Sequence, residues 1–458
     1  MEKIEYLILG AGLSGLSASY HIGHKKCLIL EKNPHAFGLV YSEKKNGFIW
    51  DVGPHVSFTK HDYVRELFAK CVKNNFYEHV VTVGNYFRGC WVDHPVQANL
   101  YQVPEPLRSK CVDSFLEIEE QNEESKPLDY REWLENSLGK EITNQFVAPY
   151  TRKYWTTDPE NLSVDWIGTR VFRPKKDDVL NGSVRKPEKS AHYIKKVRYP
   201  KEGGYQSFSN MLSDNANILC SHDVVQVDVE RKIVICENGK KFSYNKLINT
   251  IPLPEFVSKV KNISSKAKDA ANQLACSQLL LVNVEVPQET KRPEYWLYVY
   301  DEDKYSTRIN FTEKLSEKNT PVSMSGIQVE VYFSRYKPYQ ENAKEIASVV
   351  VEELLEMGLI ESKEIAQQAA TNITWVPYAN IIFDHNREAA LKAIFDELEP
   401  LGLARREDEL ASTTDWNNPG RLSDGDIILL GRFGEWKYYW SDDSVLCGRN
   451  YAINRHVV

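Results

Sequence analysis

The stretch YLILGAGLSGLSASYHIGHKKCLILE, Tyr6 to Glu31, reads as a strand, a glycine turn, a helix and a second strand closed by a carboxylate. The glycines follow the apolar run Tyr6–Leu9 directly, at Gly10, Gly12 and Gly15. Gly10 lets the chain leave the strand in a tight turn. Gly12 leaves the backbone bare where a pyrophosphate approaches, and Gly15 lets the helix lie close to the sheet. The start of that helix, Leu13 and Ser14, offers unpaired N–H groups and partial positive charge to the phosphates. Cys27–Leu30 is the second strand. Glu31 at its end is placed to accept hydrogen bonds from a ribose 2′-hydroxyl, with Lys32 beside it. A carboxylate there disfavours a 2′-phosphate, so the pattern reads as a site for the ADP half of FAD or NAD rather than NADP.

At 458 residues the chain exceeds one simple core, and two or three domains are expected. A formal net charge of −7 argues against general nucleic-acid binding, which needs a basic surface to displace counterions. The eight cysteines show no CxxC pair and no metal-ligand spacing, which fits reduced, mostly buried thiols in a cytoplasmic protein without a metal site. No apolar run reaches the length of a bilayer span and no secretory signal precedes the first strand, so neither a transmembrane segment nor export is expected.

Downstream of Glu31, Gly38, the hairpin segment Gly47–Asp51 and the turn Gly53-Pro54-His55 place small, flexible residues near the ribose carboxylate. Apolar spacing predicts helices over 62–73, 111–124 and 128–138, a hairpin over 86–92, and a helical stretch starting at Asp93. The acidic run 117–124 reads as a solvated helix face. In 148–170, aromatics stand beside Arg152, Lys153 and Arg170, a composition suited to an anionic substrate with a flat or sugar-like portion. Equally, Trp155 and Trp166 suit helix packing with basic side chains snorkelling around them. Residues 173–196 read as a mobile connection or lid. YPKEGGY (Tyr199–Tyr205) carries a glycine pair that lets backbone pass close to a ligand. Strands are expected through 217–251, a helix over 256–274, four more strands within 277–333, and a helix over 342–358. Arg308 and Glu330 project from that second set of strands, as an anion ligand with its neighbour or as a cross-strand ion pair. Residues 405–426 are polar and loop-like. After them, an apolar strand ends in Gly431-Arg432, and Asp442-Asp443-Ser444 opens a last helix.

Glu31, the following glycine turn and GFIWDVGPH together resemble the flavin-binding start of the FAD-dependent amine oxidase and protoporphyrinogen oxidase superfamily. The GPH turn is similar to one in the UDP-galactopyranose mutases. Two positions depart from the pattern: Phe37-Gly38 replaces a Gly-Gly pair, and Phe58 stands where the mutases tend to carry a second histidine. YPKEGGY, the strand end Thr250-Ile251-Pro252 and GRFGEWKYYWSDD resemble later flavin motifs of the same group. The passage from Tyr150 to Trp166 resembles flavoproteins of surface-glycan gene sets.

The resemblance implies an α/β fold, with a Rossmann-type FAD-binding domain of glutathione-reductase-like architecture and an inserted mixed α+β substrate domain. The FAD domain is expected from 1–85, 197–258 and 415–458, and the substrate domain from 86–196 and 259–414, with 405–426 as an insertion. The resemblance further implies that FAD meets Gly38, Val225, Gly431, Arg432, Asp442, Asp443 and Ser444, and that His55 lies near the flavin ring. His55 also suits a turn histidine bonded to backbone. Trp436, Tyr438, Tyr439 and Trp440 would wall the ring pocket. Arg152, Lys153, Trp155, Arg170, Arg308, Tyr378, Phe383 and Tyr439 are the substrate candidates. The implied activity is that of an oxidoreductase acting on a small molecule, a sugar or nucleotide-sugar glycan precursor, with NAD(P)H or another reductant as a candidate partner. A redox-neutral mutase reaction on reduced flavin and a non-catalytic FAD-binding protein are the alternatives. No acid–base pair stands out in the sequence.

Overall fold

The computed structural model describes residues 3–118, 126–168, 170–187, 196–340 and 342–454. The opening motif forms as read: strand Lys3–Leu9, helix Leu13–Ile22 and strand Cys27–Leu30. Gly10 takes a φ of 95°, and a Cβ on Gly15 would lie 2.1 Å from the Gly10 carbonyl oxygen, so only glycine lets the helix seat against the turn. The first sheet runs Val224–Asp228, Ile233–Cys236, Lys241–Asn249, Lys3–Leu9, Cys27–Leu30 and Ile218–Leu219, and Ile427–Leu429 pairs alongside Lys241–Asn249. The pairs around Lys3–Leu9 are parallel, as a doubly wound unit requires. The last helix, Ser441–Asn454, lies on Leu13–Ile22. A Cβ on Gly448 would stand 2.5 Å from the Ala18 nitrogen, and the Ser17 hydroxyl donates to the Val445 carbonyl at 2.6 Å. Both ends of the chain therefore share one packing surface.

The second sheet runs Ala370–Ile381, Cys276–Val286, Ser325–Phe333, Arg308–Phe311, Trp296–Val299, Val83–Phe87 and Cys90–Asp93. The expected 86–92 hairpin is its edge, turned by Arg88 and Gly89, both at positive φ. Val83–Phe87 belongs wholly to this sheet, so the expected boundary at 85/86 falls inside a strand.

The helix Arg387–Leu398 follows a twelve-residue strand, Ala370–Ile381, which carries the substrate candidate Tyr378 and accommodates Pro377 because it lies at the sheet edge. Other expectations are corrected. The helix expected over 256–274 is two helices, Leu253–Lys259 and Ser265–Gln273, separated at Asn262 in the left-handed region and restarted by the Ser264 cap. Within 173–196, Lys176–Val184 is a helix rather than a loose connection. A Cβ on its Gly182 would meet the Ala98 carbonyl at 2.2 Å, so close packing holds it in place. Residues 188–195 of that stretch lie outside the described residues, as do 119–124 of the expected 111–124 helix, which runs over Leu107–Leu116. All eight cysteines are free; four are buried and four half-buried.

Candidate functional site

A single cavity of about 1150 Å³ joins the two sheets. It exceeds the roughly 300–1,000 Å³ of an ordinary small-molecule pocket, leaving room for a dinucleotide and a second ligand. One end is walled by Gly10, Gly12, Leu13, Ser14, Glu31, Lys32, Asn33, His222 and Val224. Gly12 has no neighbour within 4 Å of where a Cβ would point, so its backbone is open to the cavity. Glu31 is buried and accepts from the Ala11 N–H at 2.8 Å and from both nitrogens of Asn33. A carboxylate has about four lone-pair sites, so acceptor capacity remains for ribose hydroxyls. Gly38 lines the wall beside Gly12, where a Cβ on it would lie 3.1 Å from the Gly12 Cα, and Phe37 before it carries a φ of 81°. The Phe37-Gly38 departure therefore places a bulky residue in a conformation that glycine adopts freely.

At the middle of the cavity stand His55, Phe58, Arg432, Tyr438, Trp440, Asp442 and Ser444. Arg432 donates to the carbonyls of Tyr439 (2.6 Å) and Ala379 (3.1 Å), and no carboxylate pairs with it among the described residues. Burial lowers its pKa, so the site gains by the arrival of an anion. The His55 ring sits 5.3 Å from that of Tyr205, and its Nδ1 is 2.9 Å from the Gly53 carbonyl. Burial lowers His55 to about 4, opposed by that backbone bond and aided by the charges of Arg432 and Arg308. His55 is bonded to backbone in its turn and also lines the cavity.

The far end is walled by Tyr150, Tyr154, Arg170, Tyr298, Arg308, Glu330 and Tyr332. Arg308 and Glu330 form a bidentate pair, both bonds 2.6 Å, and Tyr332 donates to Glu330 at 2.9 Å. Arg170 lies over the rings of Tyr438 (4.4 Å) and Trp440 (4.8 Å), and its Nε is buried without a hydrogen-bond partner.

Of the remaining candidates, Trp155 both packs on Trp166 and lines the cavity, and Tyr378 lines it near Phe433. Several candidates lie off the wall. Arg152 is at the surface in a two-bond pair with Glu302. Lys153 is buried and donates to the carbonyls of Asp301 and Ser306, tying down that loop; burial lowers its pKa to about 7. Tyr439 is buried behind the wall, bonded to Thr414, while its neighbour Tyr438 faces in. Trp436 and Phe383 are core residues beneath it. Val225 points to solvent and Val224 meets the cavity, because neighbours on a strand face opposite sides. Gly15 and Gly431 stand behind the wall, the latter with Ser14 Oγ 2.4 Å from where a Cβ would be. Asp443 turns away and accepts from Trp416 Nε1 and the Trp440 N–H, both as a helix cap and as an anchor. Sequence reasoning missed Tyr150, Tyr154, Tyr298 and Tyr332 as wall residues. The four-residue spacing of Tyr150 and Tyr154 on the helix Ala148–Tyr154, and the two-residue spacing of Glu330 and Tyr332 on one strand face, carry that signal.

Residues 8–71 match the NAD(P)-binding Rossmann-like domain family. The chain is 34% identical over 92 residues to a 4,4′-diapophytoene desaturase (4,4′-diaponeurosporene-forming) of Staphylococcus aureus (strain COL), covering 19% of this chain and only 18% of the desaturase. Among solved structures it is similar to reduced UDP-galactopyranose mutase, with a TM-score of 0.85 and 22% identity over 100% of this chain and 94% of the mutase. It is also similar to putrescine oxidase bound to putrescine, with a TM-score of 0.60 and 11% identity, covering all of both chains. The chain has the fold of these two solved structures. The bare Gly12 backbone, the spare acceptor site of Glu31 and the Arg432 charge without a carboxylate partner fit FAD. Among the described residues no cluster of three or more His, Cys, Asp and Glu side chains could hold a metal, and no helix is long and apolar enough to cross a membrane.

Proposed function

We propose that this chain is an FAD-dependent oxidoreductase acting on an anionic small molecule of the nucleotide-sugar class. The observation that supports it most is the far end of the cavity, where Arg170 and Arg308 stand among Tyr150, Tyr154, Tyr298 and Tyr332, continuous with the dinucleotide end. Guanidinium groups suit a diphosphate, and flat rings suit a base or a sugar face. When bound, FAD supplies a two-electron acceptor and carries the redox chemistry. Gly12, Glu31 and Arg432 would hold it by pyrophosphate and ribose. Arg170, with an unsatisfied Nε, binds the substrate's anionic portion. Glu330 orients Arg308 in one geometry, so that cation is fixed before substrate arrives. With Nδ1–H donating to Gly53, His55 presents Nε2 as its acceptor, and a ring held neutral can accept a hydrogen bond from a substrate hydroxyl and orient it.

A second reading, redox-neutral rearrangement on reduced flavin, is favoured by the fuller likeness to the mutase structure than to the oxidase. Phe58 in place of a histidine weighs against it. A panel of UDP- and dTDP-sugars offered anaerobically to the purified protein with its flavin oxidised, and in parallel to protein first reduced by NADH or NADPH, separates the two. Bleaching of the oxidised flavin by a sugar, with an oxidised product, is the result expected. Isomer formation that needs reduced flavin but consumes no electrons would establish the mutase reading instead.

A further inference from the structure

The polar segment 405–426 has no role in the reading above. It is not a free loop. Its Arg405 and Ser423 exchange backbone and side-chain bonds at its base, and Arg406 and Leu422 form a bridge. From there it reaches the turn 431–443, which carries Arg432, Tyr438, Trp440 and Asp442 into the cavity wall. Arg406 Nη1 donates to Glu435 Oε1 at 2.8 Å, and Glu435 Oε2 accepts the Gly431 N–H at 2.9 Å. Asp408 accepts from Arg406, Thr414 and the fully buried Lys437, the last at 2.9 Å. The Ser412 carbonyl accepts the Tyr438 N–H at 2.7 Å, and Thr414 Oγ1 lies 2.7 Å from the Tyr439 hydroxyl. Trp416 donates to Asp443 at 2.6 Å. Arg387, from the neighbouring helix, donates to the carbonyls of Leu410, Ala411 and Trp436, stitching segment and turn together.

We infer that residues 405–426 are a clamp that positions the 431–443 turn, with Asp408 and Trp416 as positioning residues for the cofactor-facing side chains of that turn. The physical reason lies in which groups are buried. Lys437 is completely enclosed and Arg406 and Glu435 nearly so; Lys437 has its charged partner, Asp408, across the segment–turn junction, and Arg406 and Glu435 pair across it besides their bonds within segment and turn. Buried charges tolerate loss of a partner poorly, so the network admits one arrangement and disfavours partial ones. Alternate residues of the turn divide the work: Arg432, Tyr438, Trp440 and Asp442 face the cavity, while Glu435, Lys437, Tyr439 and Asp443 face the clamp.

The inference rests on the FAD reading only for what the turn presents, and two readouts separate the claims. Asp408→Asn keeps the shape of the side chain but removes the charge facing Arg406 and Lys437. Trp416→Phe, a milder change, keeps the ring contact with Tyr439 and removes the donor to Asp443. Arg405→Gln, whose side chain pairs instead with Asp396, Glu399 and Glu409, is the control within the same segment. Amide hydrogen exchange on the full-length proteins should show faster exchange confined to the 431–443 peptides in Asp408→Asn, at a temperature where its circular dichroism is native, and a smaller effect at 440–443 in Trp416→Phe. FAD titration of the apoproteins should show at least tenfold weaker binding for Asp408→Asn and no change for Arg405→Gln. Should Asp408→Asn fail to fold, Trp416→Phe decides on the same two readouts, with a several-fold weakening expected. Unchanged exchange over 431–443 overturns the clamp whether or not the wild-type protein binds FAD. Faster exchange there with unchanged FAD affinity overturns its positioning role. A wild-type protein that takes up no FAD overturns the FAD reading and, with it, the positioning role, while exchange alone still judges the clamp.

Discussion

Arg308 and Glu330 sit directly across from each other on neighbouring strands, and the Glu330 side chain is only 2% exposed. Removing one partner of such a pair leaves an uncompensated charge in a poorly solvated place. Arg308→Gln should therefore lower the urea-unfolding free energy by about 3 kcal/mol, and adding Glu330→Gln should restore most of the loss. A single mutant as stable as the parent would contradict a buried pair. His55 gives a second test at this scale. The unfolded chain takes up its imidazole proton near pH 6.5, whereas the folded protein does so only near 4. Between those values the unfolded state binds more protons, so stability is full above about pH 6.5, falls as the pH drops toward 4, and levels off below. His55→Gln should make that fall shallower by up to about 1 kcal/mol per pH unit, measured by urea unfolding of the flavin-free protein. His21, lowered to about 4 by burial, keeps part of the slope in place.

The element that decides the fold, the turn from Leu9 into the helix Leu13–Ile22, separates packing from binding at adjacent glycines. A methyl group on Gly15 collides with the Gly10 carbonyl, whereas one on Gly12 meets nothing within 4 Å and projects into open cavity. Gly15→Ala should lower the melting temperature and weaken FAD binding together. Gly12→Ala, at an ordinary φ of −72°, should leave melting unchanged or slightly raised and still weaken FAD binding at least tenfold. Melting curves and FAD titrations of the two variants check this, and a Gly12→Ala protein with full FAD affinity counts against the pyrophosphate assignment. This element was legible in the sequence because every feature of it is local: the strand, the glycine spacing and the terminal carboxylate lie within 26 consecutive residues. The Tyr150–Tyr154–Trp155 helix was half legible. Its aromatic and basic composition was plain, but composition does not say which side of a helix faces a cavity, and so Arg152 and Lys153 were drawn in while Tyr150 and Tyr154 were passed over. Tyr439 against Tyr438, and Val225 against Val224, are the same difficulty in extended chain, where one residue of register exchanges wall for core in the first case and for solvent in the second.

Across the whole molecule, the first and last motifs meet: Gly448 packs on Ala18, Ser14 lies against Gly431, and the Ser17 hydroxyl bonds the final helix. The sequence pointed to this junction through two separate glycine motifs, but the 405–426 segment that braces the second was illegible. Its partners Glu435, Lys437 and Asp443 are conventional surface residue types until the fold buries them. The far wall of the cavity is assembled from segments around residues 150, 170, 300 and 330, and such long-range convergence leaves little trace in any one of them. The central claim is that the two end motifs together hold one FAD. Its most direct test is to purify the full-length protein, release and identify any bound flavin, and titrate the stripped protein with FAD and with FMN. One FAD per chain is the expected result, with FMN bound far more weakly because it lacks the adenosine that Glu31 and Val224 would face. A colourless protein whose apo form binds neither flavin, or binds FMN as well as FAD, would contradict it.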